Sequence, residues 1–329
     1  MFIFIAVINQ KRINFMKIIQ VEPIGIENSE LDKIKSDFKS MGHEFMAYES
    51  KPANEDQTIE RSKDADVIIL SNLPISENVI SNCPDLKMIS VAFAGVDHIS
   101  MDTCKKRNII VSNAAGYSNH AVAELTMGLA INLYRKIIWS DNQTRNLSDR
   151  QGFLGAELYK KTFGIIGVGQ IGSQVAHLAN AFGCRVLVYS RSTKDIPNVE
   201  FSNLDYLLKN SDIISLHVPL TAETKHLIGE SEIKLLKKSA IIINTARGPV
   251  IDYQALTDAL KNKDIAGAAL DVYEKEPPLD QHHPLFHAPN TIMLPHIGYA
   301  TKEAIKLRGQ IVIENIYRWL EGSPQNVMN

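Results

Sequence analysis

The run Gly167, Val168, Gly169, Gln170, Ile171, Gly172 constrains this chain most, because it joins two segments of different periodicity. Before it, Phe163, Gly164, Ile165 and Ile166 read as a short buried strand, and after it Ile171, Val175, Leu178, Ala179 and Phe182 recur at helical spacing. A strand entering a GxGxxG turn that opens an amphipathic helix is the start of a dinucleotide-binding βαβ unit. The helix N-terminus faces the turn with unpaired N–H groups and the positive end of its dipole. Gly167, Gly169, Gln170, Ile171 and Gly172 are therefore predicted to hold a pyrophosphate. The bland alternative is that the glycines only let a helix pack on a strand.

The second strand of the unit, Val186 to Ser190, ends where an NAD site carries an acidic residue for the ribose hydroxyls. Here the chain reads Ser190, Arg191, Ser192. A carboxylate at this place repels a 2′-phosphate, whereas two hydroxyls and a guanidinium fork bind one. The expectation is NADP(H) in preference to NAD(H), with an exposed arginine at a strand end as the bland alternative.

Further apolar strands alternate with helical segments: Ile213 to Leu216, Ile241 to Asn244, Ala266 to Leu270 and Ile292 to Leu294. Lys17 to Val21, Glu44 to Tyr48, Val67 to Leu70 and Met88 to Val91 do the same in the first part, with helical segments such as Leu31 to Met41 between. Such alternation predicts an α/β protein of two domains with doubly wound parallel sheets. Ligands of such sheets bind beyond the carboxyl ends of the strands, and His217, Thr245, Ala246, Arg247, Asp271 and His296 each stand at or just past one. Ala92, Phe93, Ala94, Gly95, Val96 and Asp97 form a turn after Met88 to Val91, where Gly95 lets backbone approach a ligand and the amides suit a carboxylate. Ser118 is placed as the N-cap of a helix carrying Val122, Leu125, Leu129 and Leu133.

Arg247, Glu276 and His296 supply what the reduction of a 2-oxo acid requires besides a hydride. Arg247 is the carboxylate clamp and leans on the ketone oxygen, stabilising the charge that develops there. His296 is the proton donor, and a paired Glu276 keeps it protonated and oriented. Each has an ordinary alternative as a turn cap, a solvated loop acid or a satisfied histidine; the set and its order carry the argument. His282, His283 and His287 lack cysteines and acidic ligands at metal spacing, and no metal site is predicted.

The segments GVGQIG, HVPLTAETKHLI, INTARGPVID, AALDVYEKEP and LPHIG, in this order, resemble the D-specific 2-hydroxy acid dehydrogenase family over nearly the whole chain. Within it, Ser190, Arg191 and Ser192 suggest the glyoxylate and hydroxypyruvate reductase branch. The resemblance implies a Rossmann cofactor domain over 118–297 and a flavodoxin-like substrate domain over 16–117 and 298–329, with the substrate cleft between them. It also implies the same roles for Arg247, Glu276 and His296. Asp271 is then a contact to the cofactor, Thr245 and Ala246 line the nicotinamide, and Pro219 and Thr224 follow His217 along the cofactor's path. The substrate carboxylate falls at the backbone of Ala94 and Gly95, beside Arg247 and His296, and a homodimer forms through the Ser118 to Tyr134 helix. D-lactate or 3-phosphoglycerate oxidation with NAD(H) stays open, as does a corepressor-like binding module gated by the cofactor.

The chain has 329 residues, 45% hydrophobic and 22% charged, enough for two globular domains with ordinary cores. A net charge of −2 argues against nucleic acid as main partner. Cys83, Cys104 and Cys184 show no CxxC or paired framework, so reduced thiols in the cytoplasm are expected. The first segment is too short to span a membrane and lacks the marks of a signal peptide. Residues 1–15 are read as an extension before Met16. The C-terminal helix, Thr301 to Leu320, is expected to return to the first domain, with no room for a further regulatory domain after it.

Overall fold

A computed structural model of the chain describes residues 15–192, 194–275 and 278–329. The reading of residues 1–14 as an extension and the role given to Glu276 lie outside the described residues. The chain divides into two compact units, one running to Tyr117 and resuming over Lys302–Asn329, the other Ser118–Thr301.

In the first unit, β1 (Lys17–Gln20), β2 (Glu44–Ala47), β3 (Val67–Leu70), β4 (Met88–Val91) and β5 (Ile110–Asn113) form one sheet in the order β2-β1-β3-β4-β5. Every pairing is parallel. The chain winds from β1 to β2 on one side and from β3 to β5 on the other, so the direction reverses between β1 and β3. Glu22 bridges that reversal: its buried carboxylate accepts the Ser71 and Leu73 N–H groups just past β3, at 2.8 and 3.0 Å. The helix Lys302–Leu320 covers this sheet, with the Ser90 hydroxyl of β4 donating to the Val312 carbonyl at 3.0 Å.

In the second unit, β6 (Thr162–Ile166), β7 (Arg185–Tyr189), β8 (Val199–Phe201), β9 (Ile213–Leu216), β10 (Ile241–Asn244), β11 (Gly267–Leu270) and β12 (Thr291–Met293) pair in the order β12-β11-β10-β9-β6-β7-β8. These pairings are parallel too. The two-domain, doubly wound α/β architecture anticipated from the alternation is thus present, and the reversal in this sheet lies between β6 and β9. Strands buried on both faces explain the unbroken apolar runs: Ile241, Ile242 and Ile243 are at most 2% exposed, and burying each stabilises the fold by about 2–3 kcal/mol.

Three differences from expectation have local causes. β5 and the three-residue β8 escape notice because their apolar runs are short. Ser118 does not cap the helix Asn119–Arg135 with its side chain; its carbonyl instead accepts the Val122 N–H at 2.9 Å. The apolar face of that helix is filled by its own unit, with Ala123, Met127, Ala130 and Leu133 packed against Val175, Ala176 and Ala179. The exposed apolar side chains lie further on, at Ile137, Ile138, Leu147 and Leu154. The return to the first unit comes after Thr301 rather than after residue 297, because Ile297 and Gly298 are tied to Asp271 of the second unit.

Candidate active site

β6 ends at Ile166 and the chain turns at once. Gly167 has φ +95°, a conformation that L side chains rarely adopt, and its imagined Cβ would stand 2.7 Å from the His217 carbonyl oxygen beyond β9. Gly172 is pressed against the Gly167 carbonyl. The fold itself requires these two glycines. Gly169 differs: its φ is −64°, and no protein atom lies within 4 Å of where a Cβ would be. Neither strain nor internal packing accounts for a glycine there, whereas a pyrophosphate drawn onto the helix does. The helix Gln170–Ala181 begins from Gly169 with no side-chain cap, so its first-turn N–H groups face outward for an anion. The turn fits a dinucleotide.

Around it stand the other residues expected to serve the cofactor. His217 is neutral, since burial pushes its pKa down to about 3, and its Nε2 lies 2.7 Å from the Ser215 hydroxyl. It therefore contributes shape and a hydrogen bond but no charge. The Thr224 hydroxyl donates to the Pro219 carbonyl at 2.6 Å and accepts the Thr221 N–H at 2.7 Å, so it is engaged in shaping its own loop. Past β7, Ser190 is half-buried, and Arg191 and Ser192 are exposed. Glu223 receives the Thr221 hydroxyl at 2.6 Å, which holds its carboxyl below the usual range, and the field of Arg191 acts in the same direction. Arg191 is therefore within electrostatic reach of an acid on the 219–224 loop.

The turn after β10 carries Thr245, Ala246 and Arg247. Buried Asn244 staples it, donating from Nδ2 to the Arg247 carbonyl at 2.9 Å and accepting the Ala246 N–H at 3.0 Å. Thr245 is buried with its hydroxyl 3.2 Å from that of Thr126. Arg247 is half-buried, with Nη1 donating to the Ala246 carbonyl at 2.8 Å. Gly248 lies so close to the Tyr273 backbone that no Cβ fits, which seats the Arg247 turn against the segment after β11. The Tyr253 hydroxyl fixes that segment as well, donating to the Val272 carbonyl at 2.6 Å.

Asp271, expected as a cofactor contact, is buried, and its carboxylate accepts the N–H groups of Ile297 at 2.8 Å and Gly298 at 2.7 Å. It thereby grips the chain immediately after His296. His296 itself has φ +55°, the left-handed region, and its ring meets Tyr299 edge to face at 5.5 Å and 84°. A non-glycine residue held there costs on the order of 1 kcal/mol or more and persists only where its surroundings enforce it, which is common at functional sites. The second unit thus lines up the glycine turn, His217, Arg247, Asp271 and His296 along the carboxyl edge of one sheet. Ala94 and Gly95 belong to the first unit, where Ala94 is exposed and Gly95 half-buried after β4. His283 is engaged by Glu274 at 3.3 Å and by the rings of Tyr253 and Tyr273. Among the described residues no group of three or more His, Cys, Asp or Glu side chains is arranged to hold a metal ion.

The sequence profile of the D-isomer specific 2-hydroxyacid dehydrogenase NAD binding domain matches residues 127–298, a span that contains the glycine turn, His217, Arg247, Asp271 and His296. The chain belongs to this family. As a D-2-hydroxyacid dehydrogenase it is an NAD(P)-dependent oxidoreductase acting on a CH–OH group, with a nicotinamide cofactor. It is 39% identical over 292 residues to a glyoxylate reductase of Thermofilum pendens, covering 85% of this chain and 86% of that one. It is 43% identical over 282 residues to a D-3-phosphoglycerate dehydrogenase of Methanocaldococcus jannaschii, covering 83% of this chain but only 53% of that protein, about half its length. Among solved structures, an acyclic imino acid reductase in complex with NADPH and D-Arg superposes with a TM-score of 0.87 at 33% identity, over 95% of this chain and all of that one.

Two features that shape the site of this dehydrogenase are not read from the sequence: the role of Asn244 and the backbone conformation of His296. Asn244 reads as the polar end of an apolar strand, and only the structure gives its amide a task. The left-handed backbone of His296 has a signal in its neighbours, since Pro295 before it and Gly298 after it mark a turn, but spacing alone does not reveal the sign of φ.

Proposed function

We propose that this dehydrogenase reduces a small 2-oxo acid such as glyoxylate or hydroxypyruvate to the hydroxy acid, with NADPH preferred over NADH. The observation that carries the cofactor preference is the end of β7, where exposed Arg191 and Ser192 stand in place of an acidic residue. The glyoxylate reductase from Thermofilum pendens supports the substrate class. A reduced dinucleotide with its pyrophosphate at the glycine turn would supply the hydride, and Thr245, Ala246, Pro219 and Thr224 are the residues that would hold it. Arg247 binds the substrate carboxylate and polarises the ketone oxygen, an electrostatic role suited to a guanidinium whose turn is fixed by Asn244 and Gly248. His296 gives a proton to the oxygen as negative charge develops there, and Glu276 keeps the imidazole protonated and oriented. In the first unit, the N–H groups of Ala94 and Gly95 are read as a carboxylate-binding turn. Asp271 acts through the His296 turn as well as at the cofactor.

The resemblance to the D-3-phosphoglycerate dehydrogenase favours a second reading, in which a phosphorylated 2-hydroxy acid is oxidised with NAD. We further propose a homodimer that covers exposed Ile137, Ile138, Leu147 and Leu154, which sedimentation at increasing protein concentration tests. The three cysteines are buried free thiols, in keeping with a cytoplasmic protein. No helix among the described residues is long and apolar enough to cross a membrane.

The test of function is the initial rate of NADPH and of NADH oxidation against glyoxylate, hydroxypyruvate, pyruvate, phenylpyruvate and 2-oxoisocaproate, with 3-phosphoglycerate and NAD in the reverse direction. Turnover of glyoxylate or hydroxypyruvate at lower KM for NADPH is expected. Preference for NADH with bulkier acids, or for 3-phosphoglycerate with NAD, overturns the reading.

A further inference from the structure

We infer that Asn113 is a positioning residue for the substrate-carboxylate turn of the first unit. It stands at the carboxyl end of β5, 5% exposed, and its Nδ2 donates to the Ala94 carbonyl at 2.7 Å while its Oδ1 accepts the Ala115 N–H at 3.2 Å. The Ala94 carbonyl and the Gly95 N–H belong to one planar trans peptide unit, in which they point in opposite directions. A donor that fixes the carbonyl from one side therefore aims the Gly95 N–H out of the other. Among the described residues, neither the Ala94 nor the Gly95 N–H meets a backbone acceptor. An amide held from behind and open in front is preorganised for an anion, since no reorientation is needed when the anion arrives.

Asn113 is itself held in one orientation by a ring of asparagines. Its carbonyl accepts Nδ2 of buried Asn315 at 2.9 Å, Oδ1 of Asn315 accepts Nδ2 of Asn326 at 2.9 Å, and the Asn326 carbonyl accepts the Asn113 N–H at 3.0 Å. The N–H, carbonyl, Oδ1 and Nδ2 of Asn113 are all engaged, so its backbone is held by the ring while its side chain spans the Ala94 carbonyl and the Ala115 N–H. The ring joins β5 to the helix Lys302–Leu320 and to residues 326–329. These last run antiparallel along β5 through the Ser112–Val327 bridge and the Met328 N–H bond to the Val111 carbonyl at 2.8 Å. Asn244 treats the Arg247 turn of the second unit in the same way: in both sheets an asparagine at a strand's carboxyl end staples a functional turn.

This inference rests on reading Ala94 and Gly95 as the carboxylate site. Its test uses the full chain carrying Asn113→Ala, with Asn113→Ser, also neutral, where the alanine variant does not fold by circular dichroism. The readouts are kcat and KM for glyoxylate, KM for NADPH, and the ¹⁵N–¹H signal of Gly95 during titration with oxalate. KM for glyoxylate is expected to rise about tenfold, while kcat stays within about threefold and KM for NADPH is unchanged. The oxalate-induced shift of the Gly95 signal should be lost with the side chain. An unchanged glyoxylate KM in a folded variant, or a parallel loss in kcat and cofactor KM, overturns the assignment. If the unsubstituted chain turns over no 2-oxo acid, the proposed function has failed and the Gly95 signal alone decides: a response to oxalate that depends on Asn113 upholds the positioning role, and no response in the unsubstituted chain overturns it.

Discussion

The Asp271 carboxylate holds the Gly298 N–H at 2.7 Å, from the end of β11 to the chain just past His296. With the neighbouring Ile297 bond at 2.8 Å, it restrains the chain next to a histidine whose φ is +55°. Asp271→Asn keeps the shape but turns an NH₂ group toward one of the two N–H donors. Losing one bond to a charged acceptor costs about 1.5–3 kcal/mol. The expected result is a fall of roughly 10- to 100-fold in kcat/KM at a melting temperature within a few degrees of the unsubstituted chain. Activity unchanged by the substitution would remove Asp271 from the site.

Gly169 and Gly248 make a discriminating pair. Space around Gly169 is open within 4 Å, so Gly169→Ala should fold and melt normally, yet weaken NADPH binding by roughly 10-fold or more because the added methyl meets the pyrophosphate. Gly248→Ala has the Tyr273 backbone in its way and should lower stability first. Calorimetric titration with NADPH beside thermal melts reads both, and tight NADPH binding by Gly169→Ala would relocate the cofactor.

On the proposed NADPH preference, Arg191 and Glu223 should act in opposite directions, since Arg191 already lowers the Glu223 pKa. Arg191→Ala should raise KM for NADPH by about 10-fold and leave KM for NADH nearly unchanged, since only the 2′-phosphate uses the guanidinium. Glu223→Gln removes an anion from the neighbourhood and should lower KM for NADPH several-fold. Equal effects on both cofactors would detach Arg191 from the 2′-phosphate.

His217 predicts a pH dependence of stability. In the folded chain burial keeps its pKa at about 3, against an ordinary 6.5, so between these values the unfolded chain binds a proton that the folded chain refuses. The contribution is therefore intact above pH 6.5 and is lost as pH falls, by about 1 kcal/mol per unit. His217→Asn should flatten that part of the stability profile, measured by urea unfolding at pH 7, 6 and 5. His43, also lowered by burial, remains as background in both proteins.

Much of the fold was legible because strands buried on both faces must be apolar throughout: Ile213–Leu216, Ile241–Asn244, Val67–Leu70 and Met88–Val91 were each readable to the residue. Residues at strand ends were legible for the same reason, since the sheet dictates where ligands approach. What the sequence hid is polar and non-local. Nothing near Asp271 signals that its partners lie at Ile297 and Gly298, and nothing near Asn113 points to Asn315. Helical periodicity marked the face of Asn119–Arg135 without saying what covers it, and Ala123, Met127, Ala130 and Leu133 of that face pack in the core of their own unit. Of Gly169 and Gly248, the second is required by the chain's own packing and the first is not, a distinction that spacing does not contain.

The bond from Ser90 to the Val312 carbonyl spans 222 residues of chain. During synthesis at about 5–20 residues per second, β4 therefore waits roughly 10–40 s for the helix that covers it. Throughout that interval one face of the first sheet, and the β5 flank along which residues 326–329 finally lie, remain without their cover. The second unit is contiguous in the chain and can complete itself in the meantime. On the ribosome, the sheet of the first unit is thus covered only after the whole second unit has been made, and until then its uncovered face and flank are open to non-native pairing.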